Sequence, residues 1–223
     1  MSKYDLKTEE LFDFVPEHLE KHFKETRFAW EIIPKIKNVV EEIISDNESG
    51  YAVLSEGVLV GKNVKIAETA TILPPAVIGN NVEIRPGAYI RGNVYIGDNC
   101  VIGNSSELKN CILLEHVQVP HYNYVGDSVL GNNSHLGAGA ICSNLRGDGK
   151  NIVVHAEKDY PTDLRKFGAI LGDLVDVGCG SVLNPGTVIG KGTRVYPLTM
   201  TRGAYPKNSI IKSTYNVVKK ENI

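Results

Sequence analysis

The chain has 223 residues, a formal charge of −2, and 42% hydrophobic and 22% charged residues. That length allows one domain with an appendage and a real core, and the near-balanced charge gives no electrostatic basis for binding nucleic acid or an anionic membrane surface. No apolar run nears membrane-spanning length, nothing resembles a signal peptide, and Cys100, Cys111, Cys142 and Cys179 lack the Cys-x-x-Cys spacing of a zinc knuckle or disulfide framework. A cytoplasmic protein is the expectation.

Residues 1–50 read as a helical N-terminal cap. Segments 8–14 and 17–26 predict short amphipathic helices with acidic first turns, and Pro16 stands near the start of the second, where its missing amide is harmless. A longer helix over about 29–45 places Trp30, Ile33, Ile36, Val40 and Ile43 on one face, with Pro34 tolerated in its first turns.

A six-residue beat then takes over. Val60, Ile66, Ile72, Ile78, Ile84, Ile90, Ile96, Ile102, Leu108 and Leu114 are all aliphatic. The residue two places earlier is mostly small or apolar, as at Val64, Ala70, Ala76, Val82, Ala88, Val94, Cys100, Ser106 and Ile112, which fits alternating inward side chains on short strands. One small unit stacked at this period predicts a mainly β fold, a single-stranded parallel β-helix, with three hexads to each turn of about 18 residues. The run keeps register to about Pro120 and then slips, Leu130 and Leu136 continuing in a new phase; the beat returns at Leu171, Val177, Leu183, Ile189 and Val195. The β-helix domain is expected over 51–210, with a loop excursion at 140–169 and a tail at 211–223. An open β-helix end exposes unpaired backbone, so the helical segment is expected to cover one.

The excursion and its approach gather His116, His121, Tyr124, His135, Asn144, Arg146, Lys150 and His155. Here the run GNSSELKNCILLEHVQVPHYNYVGDSVLGNNSHLGAGAICSNL resembles the acetyltransferase domain of bifunctional bacterial N-acetylglucosamine-1-phosphate uridylyltransferase/glucosamine-1-phosphate acetyltransferases, and LRKFGAILGD is similar to the archaeal sugar-1-phosphate nucleotidylyltransferase/amino-sugar acetyltransferases. The resemblance covers roughly 51–208. It implies a left-handed β-helix, a homotrimer with sites between subunits, acetyl-CoA as cosubstrate, and an amino-sugar phosphate of the glucosamine-1-phosphate or galactosamine-1-phosphate type. It implies no metal for acetyl transfer.

By the same resemblance, His121 of the His-x-x-Tyr-x-Gly-Asp segment is the general base, a task suited to an imidazole titrating near working pH. Tyr124 would bond the sugar or its phosphate. Asn144 would position the amine or the acetyl carbonyl, and the amides of 137–140 are candidates to hold the oxyanion. Lys109 and an arginine would hold the phosphate. Arg85 has the family's Arg-Pro-Gly context, while Arg91 lies 18 residues before Lys109, one full turn, which favours Arg91 on spacing. Lys150 and His135 are further substrate-site candidates. Ala138, Gly139, Cys179, Arg165, Lys166 and Arg202 are coenzyme candidates.

The chain departs from the pattern at His135, where the family has Asn, and at Asn144–Leu145–Arg146–Gly147, where it has Asn-Tyr-Asp-Gly. Tyr196 and Pro197 replace small residues of the coenzyme channel. A shifted or broadened substrate is expected, and no nucleotidyltransferase activity by this chain itself. Three rival readings stay open: a non-catalytic sugar-phosphate-binding or scaffold trimer partnering a separate nucleotidyltransferase, a sugar O-acetyltransferase, and a γ-carbonic-anhydrase-like metal site built on the His116-x4-His121 spacing.

Overall fold

The computed structural model describes residues 4, 6–47 and 50–220; the remainder of the predicted cap and tail lies outside the described residues. From Val58 the chain winds into a parallel β-helix of three flat faces, each turn laying one short strand on each. The first face stacks Val58–Val60, Ala76–Ile78, Val94–Ile96, the ends of Glu107–Leu113 and Tyr124–Leu130, then Ala169–Leu171, Thr187–Ile189 and Ala204–Tyr205. The second runs from Lys65–Ile66 through Val101–Asn104, Gln118–His121 and His135–Leu136 to Ser209–Ser213. The third stacks Thr71–Ile72, Tyr89–Ile90, the beginnings of Glu107–Leu113 and Tyr124–Leu130, then Ile141–Cys142, Val182–Leu183 and Met200–Thr201.

The hexad aliphatics form the inner core, with two corrections. The turn shortens by one residue earlier than expected: Ile78 pairs with Ile96, 18 residues on, but Ile96 pairs with Leu113, 17 on. Leu113 and Cys111 therefore point inward, while Leu114 and Ile112 face out. The beat also continues past Val195, because Tyr205 and Ile211 enter the same core, and an antiparallel hairpin of Ser209–Ser213 with Asn216–Lys219 ends the stack. At one corner Asn63, Asn81, Asn99, His116 and Asn133 all have left-handed backbone, which Asn tolerates best among residues with a Cβ. Their side chains ladder, Asn63 to Asn81 at 3.1 Å, Asn81 to Asn99 at 3.2 Å and Asn99 to His116 Nε2 at 3.4 Å.

The helical segment differs from expectation in place and in form. It lies along the first face instead of over an end. The outward column of that face is Leu59, Val77, Tyr95, Ile112, Val129, Ile170 and Val188, and it is buried against Leu11, Leu19, Phe23, Trp30, Ile33, Val40 and their neighbours. Three-residue strands apolar at every position cannot face water on either side, and covering each large aliphatic contributes about 1.5–3 kcal/mol. Helix α1 is Thr8–Leu11 and α2 is Glu17–Lys24, both shorter than predicted. The third helix is divided: Ala29–Lys35 is 3-10 and α3 is Ile36–Asp46. Pro34 supplies no N–H and its ring opposes an α-turn onto Trp30, so regular α-helix begins after it.

The excursion is narrower than 140–169, since Ile141–Cys142 still pairs in the third face and Gly168 already accompanies the return. Between them the chain makes a small antiparallel hairpin, Val153–His155 with Asp159–Pro161. An aromatic cluster ties it to the helical segment. Trp30 stacks on Phe28 at 4.5 Å between ring centres and lies 6.2 Å from Phe167, and Tyr160 meets Phe28 edge-on at 5.5 Å.

Candidate active site

Several candidate residues fall on two edges of the third face, and the others lie on the second face or the excursion. On the edge shared with the second face, successive turns stack Pro86, Asn104, His121, Ala138, Cys179 and Pro197. The stack follows from backbone bonds: Tyr122 N–H to Asn104 O, Gly139 N–H to His121 O (2.9 Å), Gly180 N–H to Ala138 O (2.8 Å) and Leu198 N–H to Cys179 O (2.8 Å). Asn104 Nδ2 donates to Pro86 O at 3.0 Å. The predicted base thus shares one corner with two predicted coenzyme positions. His121, Ala138 and Cys179 are all exposed.

Asn123, which the sequence reading passed over, clasps this corner. Its Oδ1 accepts the His121 N–H at 3.0 Å, and its Nδ2 donates to Gly137 O (2.8 Å) and Ala140 O (3.1 Å). It is 3% exposed. A buried amide with all these partners fixes the His121 turn against the 137–140 run. The only signal in the sequence was a polar residue between two tyrosines.

The 137–140 run is narrower as an oxyanion site than expected. Gly137 N–H bonds Val177 O, Gly139 N–H bonds His121 O, and Ala140 N–H bonds Gly137 O. Among the described residues Ala138 alone in the run keeps an unbonded N–H.

The other edge carries Arg91, Lys109, Gly126 and Asp127. Asp127 is 4% exposed. Its carboxylate accepts Asn110 Nδ2 at 2.9 Å and Asn144 Nδ2 at 2.5 Å, with Lys109 Nζ at 3.2 Å. Burial first, and then the charges of Asp127 and Glu107, hold the Tyr124 pKa above the ordinary phenol value. Gly126 leaves room for both side chains, since a Cβ there would collide with Tyr124 Oη and Asn144 Nδ2.

Each candidate phosphate cation already has a carboxylate. Arg91 meets Glu107 at 2.7 Å, Lys109 meets Asp127, and Arg85 meets Glu83 at 3.0 Å. Arg91 and Lys109 share an edge as the 18-residue spacing predicts, but Arg85, the neighbour of Pro86, is the arginine on His121's corner. His135 sits on the second face with Nδ1 2.9 Å from Asp176. Lys150, Arg165 and Lys166 are exposed on the excursion, whose two ends are bridged at Leu145 and Lys166. Arg146 pairs with Asp148 through both Nε and Nη2, holding that carboxyl down at about 2. Arg202 Nη2 lies 3.1 Å from His155 Nε2, and His155 Nδ1 lies 2.8 Å from Asp159.

Among the hollows that border the excursion, two touch several candidate residues. One of about 390 Å³ lies over the third face between Arg146, His155, Asn184, Met200 and Arg202. The other, about 470 Å³, is lined by Asn110, Asp127, Leu145, Arg165, Lys166 and Pro34 among others. His121 lines neither. Among the described residues no three His, Cys, Asp or Glu side chains gather as a metal site, and no helix is long and apolar enough to cross a membrane.

Comparison with known proteins follows the same stretch of chain. Residues 72–191 match the model of the GMPPB C-terminal domain. The "bifunctional protein GlmU" of Methanococcus vannielii is 32% identical over 87% of this chain and 45% of its own length. The "bifunctional sugar-1-phosphate nucleotidylyltransferase/acetyltransferase" of Sulfurisphaera tokodaii is 32% identical over 75% of this chain and 43% of its own. The chain therefore spans less than half of either relative. Among solved structures, a mutant of AntD, an N-acyltransferase from Bacillus cereus with dTDP and coenzyme A, aligns over 77% of this chain and 91% of its own at 20% identity and a TM-score of 0.46.

Proposed function

We propose that this chain, which belongs to the family of the GMPPB C-terminal domain through residues 72–191, is an acetyl-CoA-dependent N-acetyltransferase acting on an amino-sugar phosphate. The name of the Sulfurisphaera tokodaii relative pairs sugar-1-phosphate nucleotidylyl transfer with acetyl transfer. The observation that carries the reading is the stacking of His121, Ala138 and Cys179 on one corner, with Asn123 locking the turn. The active form is a cytoplasmic homotrimer, each coenzyme lying along this corner between two subunits.

In the reaction, the substrate nitrogen attacks the thioester carbonyl while His121 takes one of its protons. The carbonyl becomes an oxyanion beside the Ala138 N–H, which a fixed amide dipole stabilises. Collapse breaks the C–S bond, and His121 returns the proton to the departing coenzyme A thiolate. Asn144 presents its Oδ1 to a second N–H of the amine, because its Nδ2 is held by Asp127. Tyr124 bonds the sugar.

Arg85 or Arg91 exchanges its carboxylate partner for the substrate phosphate, a low-cost step for solvated pairs. Lys109, held by a buried carboxylate, acts as a counter-ion there. His135 and Lys150 border the sugar, while Gly139, Cys179, Arg165, Lys166 and Arg202 meet the coenzyme.

The test is loss of thioester absorbance with glucosamine-1-phosphate or galactosamine-1-phosphate. A thiol reagent is unsuitable because Cys179 is exposed. Sugar-dependent loss that disappears in His121→Ala, with the melting temperature kept, is the expected result. No loss with either sugar would refute the reading, and failure to bind acetyl-CoA would leave a non-catalytic module in its place.

A further inference from the structure

Asp127 touches no reacting atom in the chemistry above, yet four residues from three stretches of the chain converge on it. Lys109 and Asn110 come from the preceding turn, Asn144 from the mouth of the excursion, and Gly168 N–H bonds Asp127 O at 2.8 Å from the excursion's return. Asn110 Nδ2 also reaches Ile33 O at 3.3 Å, which extends the network to the 3-10 turn of the helical segment. The Asp127 backbone is left-handed (φ 48°), as is that of Asn110 beneath it (φ 48°). A buried side chain on a backbone in this costly conformation persists only where its surroundings over-determine it.

The orientation of the neighbouring amide follows from valence. An ionised carboxylate only accepts, so Asn144 must turn Nδ2 toward Asp127. With an apolar or neutral partner at 127 the same amide would have no reason to prefer that orientation, and it would present nitrogen or oxygen to a ligand with similar ease.

We propose that Asp127 is a positioning residue for acyl transfer, acting through Asn144: it locks the Asn144 amide so that the oxygen, not the nitrogen, is offered to the acceptor. This rests on the acetyltransferase reading. In the wrong orientation Asn144 meets the amine N–H with its own N–H, so the nucleophile is misplaced while coenzyme binding is untouched. Misplacement of this kind costs up to about 100-fold in turnover.

The experiment is a double-mutant cycle of Asp127→Asn and Asn144→Ala, followed by thioester loss with the amino-sugar phosphate, with melting curves for every variant. Asp127→Asn is expected to lower kcat roughly 10- to 100-fold with KM for acetyl-CoA unchanged. The double variant should be no slower than Asn144→Ala alone, because residues acting as a unit are non-additive. A merely structural role would instead lower the melting temperature, leave kcat of the folded protein alone, and add to the loss from Asn144→Ala. If wild type gives no sugar-dependent thioester loss, the acetyltransferase reading falls and takes this inference with it. If wild type is active and Asp127→Asn is within twofold of it, or the two losses multiply, the positioning role alone is overturned. Should Asp127→Asn fail to fold with Lys109 left unpaired, the pair Lys109→Met/Asp127→Asn removes both charges and is compared with Lys109→Met under the same criteria.

Discussion

Phe167 is the ring on which the excursion and the helical segment meet, and Phe167→Ala tests that junction. The side chain is fully buried, its ring lies 6.2 Å from Trp30, and its N–H bonds Asn144 O at 3.0 Å where the excursion rejoins the β-helix. Truncating a buried Phe costs about 3–5 kcal/mol through lost transfer energy and the cavity left behind. A chain of 223 residues has an unfolding entropy near 2.1 cal/mol/K per residue. One kcal/mol therefore moves the melting temperature by about 2 °C, and the expected drop is roughly 6–10 °C. Trp30 is the single tryptophan, so its emission reports the junction directly and should shift to the red before the far-ultraviolet circular dichroism of the β-helix is lost. A drop under about 2 °C with unchanged emission would refute the view that Phe167 joins the two elements.

Other consequences can be checked with equal economy. Burial pushes the thiols of Cys100 and Cys142 up to about 12 and that of Cys111 higher still, while Cys179 is exposed; native protein should react quickly with one equivalent of a thiol reagent, and acetyl-CoA should protect that thiol if its arm passes Cys179. Burial holds the His18 pKa below 6.5, and Nε2 lies 2.7 Å from Tyr95 Oη. As pH falls below about 6.5 the unfolded chain takes up a proton that folded His18 resists, so stability present above that pH is progressively lost; in urea titrations His18→Gln should flatten this slope, and an identical slope would contradict the assignment. A Cβ at Gly103 would overlap Pro120 O, at the turn just before His121, whereas one at Gly147 meets nothing within 4 Å. Gly103→Ala should cost about 3 kcal/mol or more, and Gly147→Ala should stay within about 1 kcal/mol of wild type, both read from thermal melts.

Much of this was legible in the chain because a β-helix repeats one local decision. An aliphatic residue every sixth position must go inward, and stacking makes that choice mutual between turns, so Ile78, Ile96, Leu171 and Ile189 are where the beat puts them. The break after Cys142 was visible for the converse reason, since polar and Gly-rich sequence cannot fill the core. The burial of the first face was also written in the sequence, as runs such as Ala-Val-Ile, Val-Tyr-Ile and Cys-Ile-Leu, but reading only the inward positions hid it.

Tertiary structure alone decided the remainder. The turn that loses a residue between Ile96 and Leu113 looks locally no different from its neighbours, and only pairing with the turns on either side selects Leu113 over Leu114. Which arginine shares a corner with His121 depends on that same count of residues per turn. The partners of a side chain are set by what lies one turn away, 17 or 18 residues distant, or across the excursion, 41 residues distant. Asn123 and Asp127 carry no repeat signal of their own, and their roles exist only once three stretches of chain have closed around them.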